Sequence, residues 1–180
     1  AEVDSVQLGD LFSDADLDVC VESSIFAVYD NAGQDCCARS RILIQKEIFD
    51  EFTDRFGDRA TRMVIGDTAD EATEIGPLIT PAQRESVESY IGIGRGEGAT
   101  LVCGGERVGE VGNYLSPAGF TDARPGMRLL QGEVFGPGGA PGPFGGEQEA
   151  NSLAQDSLYG PSGSLWTPAL GRALRVARAG

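Results

Sequence analysis

The sequence predicts an α/β layered domain, a sheet with flanking helices resting on it. Segments whose apolar residues recur at helical spacing alternate with short apolar runs rich in β-branched residues, and turn residues punctuate the joins. No internal repeat interrupts this alternation, and 180 residues suffice for one domain that buries roughly 70% of the surface its unfolded chain exposes.

Residues 14–28 mix acidic and apolar positions, with Leu17, Cys20, Val21, Ile25 and Val28 on one stripe, which predicts a helix. A turn of small and polar residues follows, carrying Asn31, Gly33 and the adjacent pair Cys36 and Cys37. Residues 41–45 form an apolar run with β-branched members, suited to a buried strand. A thiol at this junction sits at the edge of the core, where backbone N–H groups and a polar loop are expected to favour thiolate. Residues 46–60 place Ile48, Phe49, Phe52 and Phe56 on a core-facing helical stripe. A polar loop over 66–80 ends at Thr80, an N-cap candidate, with Pro81 at the first helical position of a helix that runs to Ile91. Residues 99–103 read as a strand closed by Gly104 and Gly105, residues 113–121 as extended chain, 162–166 as a short strand and 168–178 as a last helix. Between 132 and 146, ten of fifteen residues are glycine or proline. That composition predicts an irregular segment and argues against a regular central strand, since proline removes ladder donors and glycine adds entropy without packing.

Charge and composition narrow the function. A formal charge of −14 disfavours nucleic acid and anionic membrane as partners. No run of eighteen apolar residues occurs and the start lacks a basic-then-apolar leader, so the expected compartment is the cytoplasm, with no membrane association. The chain contains no histidine, which removes Cys-His and Ser-His-Asp catalysis and His-ligated metals. Cys20, Cys36, Cys37 and Cys103 are not spaced as a disulfide framework, so reduced thiols are expected. Metal is not expected either: adjacent cysteines are poor partners on one tetrahedron, and no second pair is present.

The run from Asn31 through Gly33, Gln34 and Cys36 to Arg41 resembles the catalytic-cysteine signature of the aldehyde dehydrogenase superfamily. Two more stretches agree in order and spacing: Ile65-Gly66-Asp67 through Gly76-Pro77-Leu78, and Glu133-Val134-Phe135-Gly136-Pro137. The resemblance extends from about residue 14 to the end, departing over 1–13 and roughly 136–151. It implies an enzyme that oxidises an aldehyde to a carboxylic acid with NAD or NADP, through a thiohemiacetal and a thioester on Cys36. By the same resemblance, Glu133 contacts the nicotinamide ribose and Phe135 packs near the nicotinamide. Cys37 is expected to face away from Cys36 in a briefly extended loop and to be structural, Cys20 and Cys103 to be core residues, and Asn31 to brace the turn.

Family members carry a general-base glutamate in a Glu-Leu-Gly-Gly-like segment before the cysteine. Extending the match without a gap puts Glu2 there, whereas pairing by local similarity puts Gln7 there, and an amide accepts no proton near neutrality. The gapless choice, Glu2, needs fewer events. Complete members also have an N-terminal Rossmann-type dinucleotide domain and oligomer-forming segments, so the chain resembles the catalytic domain alone, truncated at both ends, with that domain or a homo-oligomer as implied partners. Gly92-Ile93-Gly94-Arg95-Gly96 follows a helix and has the wrong spacing for a dinucleotide fingerprint. Two other readings stay open: a non-catalytic relic or scaffold of the same fold, and a residual thiol esterase. Turnover with nicotinamide by these residues alone is expected to be weak, because misplacement by even ~1 Å can cost about 10²-fold.

Overall fold

A computed structural model describes residues 7–156 and 162–179. The elements run in the order β1 (Gln7–Leu11), α1 (Leu17–Tyr29), a 3-10 turn (Asp30–Gly33), β2 (Arg41–Gln45), α2 (Lys46–Thr61) and α3 (Pro81–Glu97). They continue with β3 (Thr100–Cys103), β4 (Ala118–Thr121), α4 (Arg128–Gln131), β5 (Gly138–Phe144), α5 (Glu147–Ala154), β6 (Ser162–Trp166) and α6 (Leu170–Ala179). The strands form one sheet ordered β3-β4-β5-β2-β1-β6. All pairs are parallel except β3 with β4.

Two apolar layers cover the sheet, as side-chain alternation along a strand requires. Ile42 and Ile44 of β2 face a core built with α1, α2 and α3, in which the Tyr29 and Phe56 rings lie 5.6 Å apart and those of Phe52 and Phe56 5.7 Å apart. Leu43 faces the opposite side, joining Phe12, Phe144, Ala150 and Val176 under α5 and α6. Phe12 and Phe144 meet edge to face at 5.1 Å.

The helix begun at Pro81 is capped by the Thr80 hydroxyl, which accepts from the Gln83 N–H, and it runs past Ile91 to Glu97 before Gly98 ends it at φ 99°. Gly94 lies within this extension because a Cβ there would stand 3.0 Å from Leu129 and 3.4 Å from Phe120, so a small residue lets α4 approach. β1, α4 and α5 have no counterpart among the sequence expectations. The run Gln7-Leu8-Gly9-Asp10-Leu11 has poor strand propensity, and its place between β2 and β6 overrides that.

The largest correction is β5. Residues 138–144 form a regular strand between β4 and β2, against the irregular segment expected from their composition. The reason lies in which way the prolines point. Ala140 N–H donates to the Ser40 carbonyl at 2.7 Å, so Ala140, Gly142 and Phe144 direct their backbone groups at β2. Pro141 and Pro143 direct theirs the other way, beyond Gly139, where pairing with β4 has already ended. Their missing N–H groups therefore cost no ladder bond.

Candidate active site

The loops that precede β2 and β5 meet at the amino-terminal ends of these strands, the opposite edge to the one that ligands occupy in most open α/β sheets. After Tyr29 the chain turns through three left-handed residues, Asn31 (φ 51°), Ala32 (φ 57°) and Gly33 (φ 68°). Asn31 does brace this turn: its Nδ2 donates to the Gln34 carbonyl at 3.0 Å. Gly33 permits a close approach, since a Cβ there would lie 2.1 Å from the Gly136 carbonyl oxygen. Backbone thus touches backbone where the cysteine loop meets the Glu133–Phe135 segment.

Cys36 sits in a tight turn closed by the Ala38 N–H donating to the Asp35 carbonyl at 3.0 Å, with the Cys37 N–H donating to Asp35 Oδ1 at 2.9 Å. Both Cys36 and Cys37 are exposed, and their sulfurs are 3.8 Å apart. Cys37 therefore does not face away, because the loop turns where extended chain was expected and adjacent side chains converge. Nor does the loop favour thiolate as expected. The hydrogen-bonded Cys37 thiol, that group's charge and the Asp35 carboxyl hold the Cys36 thiol above its ordinary value. Cys20 is buried in the main core and Cys103 is half-buried against it.

Cys36, Glu133 and Phe135 line one cavity of about 50 Å³, together with Val87, Ile91 and Val134. Two glutamines hold its walls, Gln34 from within the cysteine signature and Gln83 from outside every motif. Gln34 accepts from the Ile79 N–H at 2.8 Å and donates to the Asn31 carbonyl at 3.1 Å, tying the cysteine loop to the 77–79 segment. Gln83, at the start of α3, donates to the carbonyls of Val134 at 3.2 Å and Phe135 at 2.8 Å, where Phe135 has φ 50°. The bonds from Gln34 to Ile79 and from Gln83 to Val134 and Phe135 join residues distant in sequence, and no local pattern marks them. Glu2 lies outside the described residues. Gln7 opens β1, one residue before Leu8 pairs with Arg41, and so stands at the same edge of the sheet as the cysteine loop.

The chain has extensive similarity to known proteins. It is 41% identical over 169 residues to a betaine aldehyde dehydrogenase of Rhizobium johnstonii, covering 92% of this chain and 35% of that protein. It is 38% identical over 175 residues to a 5-carboxymethyl-2-hydroxymuconate semialdehyde dehydrogenase of Escherichia coli, covering 93% of this chain and 37% of that protein. The crystal structure of a betaine aldehyde dehydrogenase from Staphylococcus aureus in complex with NAD+ superposes with a TM-score of 0.94 at 38% identity, covering 96% of this chain and 35% of that one. The chain thus spans about a third of the length of these relatives. The family model described as aldehyde dehydrogenase family matches residues 10–179, and with the fold and the sequence identity in agreement, the chain belongs to the aldehyde dehydrogenase family.

Proposed function

We propose that this chain carries the covalent chemistry of an aldehyde oxidation, with Cys36 as nucleophile, NAD or NADP as hydride acceptor and a carboxylic acid as product. The observation that supports it most directly is the convergence of Cys36, Glu133 and Phe135 on one cavity from loops far apart in sequence. The lining combines a carboxylate, from Glu133, with an apolar wall, from Phe135 and Val134, the two kinds of group that the hydroxyls and the ring of a nicotinamide riboside engage. When bound, the cofactor supplies the acceptor for the hydride.

The residues of the chain divide the remaining work. Cys36 Sγ bonds to the aldehyde carbon, its thiol proton passing to a base, and the resulting thiohemiacetal oxygen holds the charge until the carbon is oxidised to a thioester. Water then cleaves the C–S bond, releasing acid and thiol. Glu2 is the proposed base for that water. If Gln7 occupies the position instead, deacylation slows by about 10²–10⁴-fold. Gln34 and Gln83 are positioning residues that keep the two loops in register. This reading includes a cytoplasmic setting, a Rossmann-type dinucleotide domain and a homo-oligomer, all implied by the family.

The test is incubation with propionaldehyde and either nucleotide, following reduced-nicotinamide absorbance, alongside acylation of Cys36 by an activated ester followed by mass spectrometry. Exposure of Cys36 favours acylation in the 180-residue chain even where hydride transfer is slow. An acyl adduct on Cys36 that vanishes in Cys36→Ala is expected. Equal reactivity in that variant would exclude Cys36 as the nucleophile.

A further inference from the structure

We propose that Asp35, Cys36 and Cys37 form a chelating site for a thiophilic divalent cation, which would occupy the nucleophile and block its chemistry. Two thiolates bound at about 2.3 Å on a tetrahedral ion stand roughly 3.8 Å apart. The Cys36 and Cys37 sulfurs are 3.8 Å apart already, so the turn holds both at the separation a bound ion requires. This geometry overturns the premise that adjacent cysteines make poor partners on one tetrahedron, which applies to extended chain. An Asp35 carboxylate oxygen lies within 4.8 Å of both sulfurs and supplies a third donor.

All three residues are exposed, so an ion reaches them from solvent, and a fourth position is left for water. The hydrogen bond from the Cys37 N–H to Asp35 Oδ1 closes the local turn and limits the rearrangement needed on binding. Binding one ion displaces two thiol protons to solvent, with no change of oxidation state. Soft ions are favoured over magnesium or calcium because two of three donors are sulfur.

Cadmium is the probe, added to the full chain kept reduced by a non-thiol phosphine. The expected result is a thiolate-to-cadmium ultraviolet absorption that saturates at one ion per chain, protects Cys36 from iodoacetamide and is reversed by a chelator. Cys37→Ser should weaken binding by roughly tenfold or more and abolish the protection while leaving Cys36 open to alkylation, and Asp35→Asn should weaken it several-fold. Absence of a saturating thiolate absorption, or binding by Cys37→Ser within about twofold of the parent, would overturn the proposal.

Discussion

At Cys36, exposure and acidity pull in opposite directions. The sulfur is open to a reactant, yet Cys37 and Asp35 hold its proton, so reactivity at neutral pH depends on a base taking that proton or on a change in the turn. The rate of alkylation of Cys36 by iodoacetamide should therefore rise with pH through a midpoint above the ordinary cysteine value, and Cys37→Ala should move that midpoint down; an unchanged profile would contradict the assigned cause. Asp10 offers a second titration. It is buried, its Oδ1 has no hydrogen-bond partner, and burial pushes its carboxyl up from 3.8 to about 7, with Arg41 opposing the rise. Because the folded chain holds this proton to higher pH than the unfolded chain, its contribution to stability is full below about 4, falls as pH rises to about 7 and is level beyond. Three units at 1.36 kcal/mol each set an upper figure of about 4 kcal/mol. Asp10→Asn should raise the urea midpoint at about pH 8 and flatten the fall between about pH 5 and about pH 8; a parent protein with no such fall would refute the assignment. Of these features, the sequence disclosed the cysteine and the bracing role of Asn31, because both depend on local turn chemistry. It did not disclose the acidity of either group, which depends on what packs around them.

Element by element, legibility followed the locality of the signal. Residues 41–45 are a strand as expected, and the α1 and α2 stripes bury Cys20, Val21, Ile25, Val28, Phe52 and Phe56. Thr80 and Pro81 start α3 as their chemistry dictates. β5 was illegible because composition states how many prolines a strand contains but not to which neighbour their nitrogens point. The directional account can be tested within that one strand. Pro143→Gly removes a conformational restraint without touching a ladder bond and should cost about 1 kcal/mol or less. Gly142→Pro removes an N–H directed at β2 and leaves a carbonyl there without its donor, and should cost at least about 2 kcal/mol more. Comparable losses in chemical denaturation would show that the two sides of β5 are equivalent and that the explanation is wrong.

For the molecule as a whole, net charge and ion pairing make opposed claims on stability. Acidic residues outnumber basic ones 28 to 14, giving −14, and this excess repels itself more strongly when the chain is compact. Against it stand surface pairs such as Arg55 with Asp18 and Glu51, Arg59 with Glu74, and Arg172 with Asp14 and Glu147. Exposed pairs of this kind contribute little, because solvent screens them and ordering two long side chains costs entropy. Arg172 does more than pair, since its guanidinium lies 4.7 Å from the centre of the Phe12 ring and helps seat α6 on the smaller core, an attachment that salt weakens little. Raising monovalent salt from about 0.01 M to about 0.15 M shortens the screening length from about 30 Å to about 8 Å. Long-range repulsion is screened over that interval, whereas pairs in contact lose much less. Repulsion is therefore the term that salt relieves, and the chain should gain about 1 kcal/mol, seen as a rise of about 2–4 °C in Tm. A fall in Tm over the same interval would mean that the contact pairs outweigh the acidic excess, and the stability of α6 would then have to be assigned to Asp14 and Glu147 rather than to the packing of Arg172 on Phe12.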